Sequence, residues 1–211
     1  MRTQVIASTD TDAVEKACRL LETGGLVAFA TDTVYGLGAH AFLPEAVEKI
    51  YRAKERPLTK AIPLLLDSAE SLHRVAQDIT PQAWDLAEKF WPGALTVVLY
   101  RQPVVPDVVT GGGPTVALRV PDHLFALRLI RAAGGALAAT SANLTGHPDP
   151  QTAPDVLNYL EGRVDLILDG GRCPGGIPST VMDMTKAPPE ILRPGAIPRE
   201  ALEQALSGLI P

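Results

Sequence analysis

Four cations, Arg52, Lys54, Arg56 and Lys60, stand within nine residues and only Glu55 opposes them, in a chain whose formal net charge is −5. Positive charge concentrated inside an acidic protein suits a polyphosphate clamp, because guanidinium and ammonium groups bind phosphate oxygens by charge-assisted hydrogen bonds. Pro57 stiffens the turn after Arg56. The run also fits a solvated basic face, and charge alone leaves both readings open. Two further arginines lie in strand patterns, Arg119 in Val116-Ala-Leu-Arg-Val120 and Arg193 in Ile191-Leu-Arg-Pro-Gly195. A guanidinium there is exposed on an edge, held in an ion pair, or aimed at a carboxylate or phosphate.

Hydroxyl and amide side chains crowd the ends of apolar runs. Thr140-Ser-Ala-Asn143 follows Ala136 to Ala139, and Thr31-Asp-Thr33 follows Leu26 to Ala30 and leads to Gly36 and Gly38. Ser179-Thr180 opens a strand pattern after a glycine-rich turn. Open sheets bind ligands just outside strand ends. The same residue types also cap helices and close turns, so each cluster taken alone keeps that plainer reading.

Several chemistries are excluded. Gly-Lys never occurs, which removes the Walker P-loop, and HExxH, GxSxG, SxxK and GxGxxG are absent too. His40, His73, His123 and His147 lack metal-ligand spacing and read as surface or cap residues. Cys18 and Cys173 form neither a disulfide framework nor a zinc motif, so no metal site is expected and a reducing cytoplasm fits. The start, Met1-Arg-Thr-Gln-Val, has no apolar leader, and no run approaches the roughly 18 apolar residues of a membrane helix. The acidic balance disfavours a broad phosphate-coating surface.

These residues need elements to position them. Apolar spacing and breakers predict helices over 10–22, from Pro44 to about Ala53, and over 81–90, 124–133, 153–160 and 199–206. Strands are expected over 26–30, 61–66, 95–100, 115–120, 136–139, 166–168, 180–184 and 191–193, with a loop following the strand at 26–30. No repeat, low-complexity tract or interior linker divides the chain. With 211 residues, 46% of them hydrophobic, a single domain over 1–211 is expected, of α/β or α+β class, with a mixed sheet and flanking helices.

Taken together, the segments are familiar: Thr31-Asp-Thr-Val-Tyr-Gly-Leu-Gly38, Lys54-Glu-Arg-Pro57, Trp91-Pro-Gly-Ala-Leu-Thr96, Leu118-Arg-Val-Pro121, Ser141-Ala-Asn-Leu-Thr-Gly146, Ser179-Thr-Val181 and Leu192-Arg-Pro-Gly195. In this order they resemble the YrdC/TsaC family of threonylcarbamoyl-AMP synthases. The resemblance implies a twisted mixed sheet around a large open cavity. It also implies a reaction in which L-threonine, bicarbonate and ATP give threonylcarbamoyl-adenylate and pyrophosphate, for modification of tRNA adenosine beside the anticodon. Mg²⁺ would enter on the ATP phosphates, and TsaD, TsaB and TsaE-type proteins would pass the group to tRNA.

By motif position, Thr33, Leu65, Arg119, Ala139 and Ser179 would meet threonine. Arg56, Lys60, Thr115, Ser141, Asn143, Asp149 and Arg193 would serve ATP, and Lys54 and Arg56 would be catalytic, offsetting phosphate charge. Three places depart from the family's usual pattern: Ala30 in place of Pro before the Thr-Asp-Thr motif, Lys60-Ala-Ile62, and the apolar Leu65. A longer branch of the family adds a C-terminal domain, and a chain ending at Pro211 resembles the short form. Two other readings compete. One is the carbamoyl-adenylate-forming domain of hydrogenase maturation, which the unclustered cysteines oppose. The other is an RNA-binding or ribosome-maturation module, for which the acidic balance allows at most weak RNA binding.

Overall fold

A computed structural model describes residues 2–207. One mixed sheet runs through it. In chain order the elements are β1 (Gln4–Ala7), α1 (Ala13–Glu22), β2 (Val27–Phe29), β3 (Gly36–His40), α2 (Pro44–Lys54), β4 (Leu64–Leu66), α3 (Leu72–Val75), β5 (Ala76–Gln77), α4 (Pro81–Phe90) and β6 (Leu95–Arg101). There follow α5 (Asp107–Thr110), β7 (Thr115–Arg119), α6 (Leu124–Ala132), β8 (Ala136–Ser141), α7 (Ala153–Leu160), β9 (Leu166–Asp169), β10 (Thr180–Asp183), β11 (Glu190–Arg193) and α8 (Arg199–Ser207). The spatial order is β1-β9-β2-β3-β8-β4-β7-β6-β10-β11, with β5 beside β6.

The helix ends follow local chemistry. Pro stands at the first turn of α2, α4 and α7, where a missing N–H costs nothing. A reciprocal capping box between Thr152 and Asp155 starts α7. His123 caps α6 by accepting the Ala126 N–H, the cap role read for histidine in the sequence.

The expected class and most elements are present, and the differences have physical reasons. Gly36-Leu-Gly-Ala-His40, taken as part of a loop, is an internal strand of the sheet, antiparallel to both β2 and β8. Its two glycines mask the apolar pattern, and at Gly38 a Cβ would strike the Phe29 ring at 2.8 Å, so close packing there demands a residue without a side chain. β1 was not anticipated because it is mostly solvent-facing. β4 begins at Leu64, three residues later than expected.

The two faces of the sheet are unequal. A large apolar cluster with α2, α4 and α7 packs one face, through residues such as Leu37, Leu64, Val97, Leu118 and Ile167. On the other, α1 and α6 cover Val27, Phe29, Leu65 and Leu137. Arg119 pairs in register with Leu65 on the neighbouring parallel strand, so its side chain belongs to this second face. There the fold leaves its cavity.

Candidate active site

A pocket of about 620 Å³, open mouth included, lies on that face. Register builds its floor. Gly36 of β3 faces Ser141 of β8, Leu65 of β4 pairs Arg119 of β7, and Thr96 of β6 pairs Val181 of β10, which in turn meets Arg193 of β11. Thr31, Thr33, Ala139, Asp149 and Ser179 complete the wall. Several strands thus bring together residues that are up to 162 positions apart, Thr31 and Arg193.

Arg119 is 6% exposed and its guanidinium is largely committed. Nε donates to Gly93 O at 2.8 Å, Nη1 to Thr33 Oγ1 at 2.9 Å, and Nη2 to Asp32 Oδ1 at 2.5 Å. Burial pulls its pKa down while the Asp32 carboxylate opposes that shift. One proton on each terminal nitrogen is left over, enough for the two oxygens of a carboxylate. Thr33 is itself fixed: Thr31 Oγ1 lies 3.1 Å from its hydroxyl and donates to Val34 O at 2.7 Å.

Across the pocket, Ser179 Oγ lies 2.7 Å from Thr96 Oγ1, and Arg193 Nη2 donates to Ser179 O at 2.7 Å and to its Oγ at 3.2 Å. Arg193 is otherwise exposed at the rim.

The third wall is hung from a buried cation. Lys54, the last residue of α2, is 1% exposed, and its ammonium donates to Ser141 O at 2.5 Å, Asn143 O at 2.6 Å and Asn143 Oδ1 at 2.9 Å. Asn143 Oδ1 also accepts from Ser141 Oγ at 2.7 Å, and its Nδ2 donates to His147 O, Pro148 O and Asp149 Oδ1. Burial pushes the Lys54 ammonium down to about 7; Arg56 adds to the shift and Asp149 opposes it. This one side chain therefore fixes the loop that presents Ser141 and Asp149.

Of the residues expected from sequence, Thr33, Leu65, Arg119, Ala139, Ser141, Asp149, Ser179 and Arg193 line the pocket together. Five others stand off its wall. Lys54 and Asn143, expected at the phosphates, have their polar atoms already used in holding the 141–149 loop, to which Asn143 belongs. Arg56 turns to its own loop, donating to Lys60 O at 3.0 Å and Ala61 O at 2.7 Å, and lines a separate groove with Tyr51, Arg52 and Leu58. Lys60 is exposed beside it. Thr115 opens β7 opposite Tyr100, four positions from Arg119 and so about 13 Å along the strand.

Thr31 and Gly36 belong to a strand-end cluster read in the sequence, but motif position assigns neither of them, nor Thr96, to a substrate, and all three line the pocket. Strand parity carried a signal for Thr96, which falls at a strand position in the Trp91-to-Thr96 motif. Asp32 lay within a quoted motif, but its partner Arg119 is 87 residues away.

Comparison with known proteins bears on the site. A family model described as "Telomere recombination", Sua5/YciO/YrdC, matches residues 19–195. The chain belongs to this family. A threonylcarbamoyl-AMP synthase of Pyrococcus abyssi is 45% identical over 190 residues, covering 90% of this chain and 56% of that protein. One of Bacillus subtilis is 42% identical, covering 94% and 58%. The crystal structure of P. abyssi Sua5 complexed with L-threonine superposes with a TM-score of 0.92 at 41% identity, covering 97% of this chain and 61% of that one. The chain thus spans little more than half the length of these relatives. In this Sua5/YciO/YrdC chain, the matched residues 19–195 include every residue that lines the pocket.

Proposed function

We propose that this chain forms threonylcarbamoyl-adenylate and pyrophosphate from L-threonine, bicarbonate and ATP, supplying the activated group for tRNA modification. The observation that carries the reading is the buried Arg119, held by Asp32, Thr33 and Gly93 with two N–H protons to spare, in a pocket whose rim bears Arg193. The P. abyssi relative's complex with L-threonine supports the choice of amino acid.

In this reading, Arg119 grips the threonine carboxylate, leaving the amine free in the pocket. The amine takes up the carbon of bicarbonate with loss of water to give a carbamate. A carbamate oxygen then attacks the α-phosphorus of ATP, that bond forms as the bond to pyrophosphate breaks, and the mixed anhydride results. No protein nucleophile is needed. The protein's work is to hold two anions in line against their repulsion and to stabilise charge on the phosphate oxygens.

Arg193 serves the nucleotide from the rim, while Arg56, which lines a separate groove, and the exposed Lys60 would have to turn from their present places to reach a phosphate. Mg²⁺ binds through one or two carboxylates together with substrate phosphates. The pocket's carboxylate, Asp149, and the Ser141 hydroxyl fit that pattern, and the ion would neutralise phosphate charge. TsaD, TsaB and TsaE-type proteins would receive the adenylate, and the compartment would be the cytoplasm. Among the described residues no helix is long and apolar enough to cross a membrane.

The test is pyrophosphate release from ATP and Mg²⁺ with L-threonine and bicarbonate supplied or withheld, with the adenylate followed by mass spectrometry. Release that requires both compounds is expected. Release that ignores threonine would overturn the reading, and RNA retention without ATP turnover would replace it with a binding module.

A further inference from the structure

Thr96 is a pocket residue to which neither the motifs nor the relatives' names give a part. It is 2% exposed and sits on β6, between the strand of Arg119 and the strand that follows Ser179. The antiparallel Val97–Leu118 pair sets Thr96 opposite Arg119, and Thr96 pairs Val181, which pairs Arg193. Opposed residues project to the same face. Arg119, Thr96 and Arg193 therefore form one row across the floor.

The hydroxyl of Thr96 makes its hydrogen bond to Ser179 Oγ, 2.7 Å away, which also accepts from Arg193 Nη2 at 3.2 Å. Each hydroxyl has one proton and two lone pairs. One proton is used between the two hydroxyls, and the guanidinium occupies a lone pair of Ser179. One hydroxyl proton remains. Both oxygens belong to residues of the pocket wall, so that proton is available to an acceptor in the cavity.

We infer that Thr96 is a positioning residue, which locks the Ser179 hydroxyl between itself and Arg193 so that the pair presents a single O–H donor to an oxygen of the bound amino acid. The identity of that amino acid, L-threonine, rests on the function proposed above. Arg193 keeps its bond to Ser179 O at 2.7 Å whichever way the Ser179 hydroxyl turns, so the nucleotide side is held independently of Thr96.

Thr96→Val keeps the β-branched shape and removes the hydroxyl, whereas Thr96→Ser keeps the hydroxyl. L-threonine binding to the full chain is measured by titration calorimetry, and KM for threonine and for ATP by pyrophosphate release. Thr96→Val should weaken threonine binding about tenfold, the equivalent of roughly 1.4 kcal/mol. It should leave KM for ATP nearly unchanged, and Thr96→Ser should restore threonine binding. A Thr96→Val protein that binds threonine like wild type, or a Thr96→Ser protein as poor as it, overturns the inference.

If the wild type itself takes up no L-threonine, the substrate reading fails. The crystal structure of the Thr96→Val variant then decides the positioning role. A Ser179 side chain that turns away from Arg193 supports it, and one that stays in place overturns it.

Discussion

Asp32 and Arg119 form a buried ion pair at 2.5 Å, with their side chains 14% and 8% exposed. They come from different parts of the chain, a turn after β2 and the end of β7, and meet because several strands of one sheet intervene. The pair does not saturate the guanidinium. It sets the plane in which the remaining N–H protons lie, which is what a carboxylate site needs and what an isolated arginine on a strand does not supply.

Breaking that pair from one side leaves an uncompensated charge in low dielectric, a loss of about 3–5 kcal/mol in buried cases. Asp32→Asn keeps the shape and removes the charge, so it should lower stability towards the smaller end of that range, because Asp32 keeps some solvent contact. Urea denaturation measures this. KM for L-threonine should rise in the same variant, as Arg119 loses its orientation.

Arg119→Lys tests the fork itself. An ammonium on a flexible stem cannot hold Gly93 O, Thr33 and Asp32 and still offer two parallel donors. Threonine-dependent pyrophosphate release should fall by at least about a hundredfold, two bidentate-grade bonds being lost at roughly 1.5 kcal/mol each. A near-normal rate would place the carboxylate elsewhere.

Gly195 ends the Leu192-Arg-Pro-Gly motif for a steric reason. A Cβ there would fall inside contact distance of Pro178 O, Ser179 C and Thr180 N, all of them backbone. Gly195→Ala must displace the segment that carries Ser179, with an overpacking cost of about 1–3 kcal/mol. A lower melting temperature and weaker L-threonine binding should appear together. Thermal unfolding and calorimetry on the same sample check both.

Much of this is legible in the sequence, and the limits have physical causes. Element types that rest on periodicity and punctuation were readable: the 81–90 and 153–160 helices lie where Pro, capping residues and apolar spacing put them. β3 was not readable, because its glycines look like turn residues, whereas Gly38 serves close contact with Phe29 inside the sheet. The order of motifs pointed to Thr33, Arg119, Ser179 and Arg193, which meet in the pocket, and equally to Arg56, Lys60 and Thr115, which do not line it. It could not show which way the Lys54 side chain points. A lysine closing a helix normally faces water, and only the fold reveals that this one is buried among the acceptors of the 141–143 segment.

That burial has a pH signature whose sign is fixed. The Lys54 ammonium is pushed down to about 7, well below the ordinary lysine value that the unfolded chain keeps. Below about 7 both states carry the proton and the burial cost is felt in full. From there up to the lysine range the unfolded chain holds a proton that the folded protein has released, so stability rises with pH. Lys54→Met abolishes the effect and strands carbonyl acceptors of Ser141 and Asn143, a loss of about 1–3 kcal/mol near neutrality. The stability difference between wild type and variant should therefore widen in favour of wild type between pH 7 and pH 9, which lies inside the interval from about 7 to the ordinary lysine value of about 10.4. Urea unfolding of both proteins across that interval measures it. A constant difference would mean that the three acceptors keep the ammonium charged, and the 141–149 loop would then be held by the same three bonds throughout.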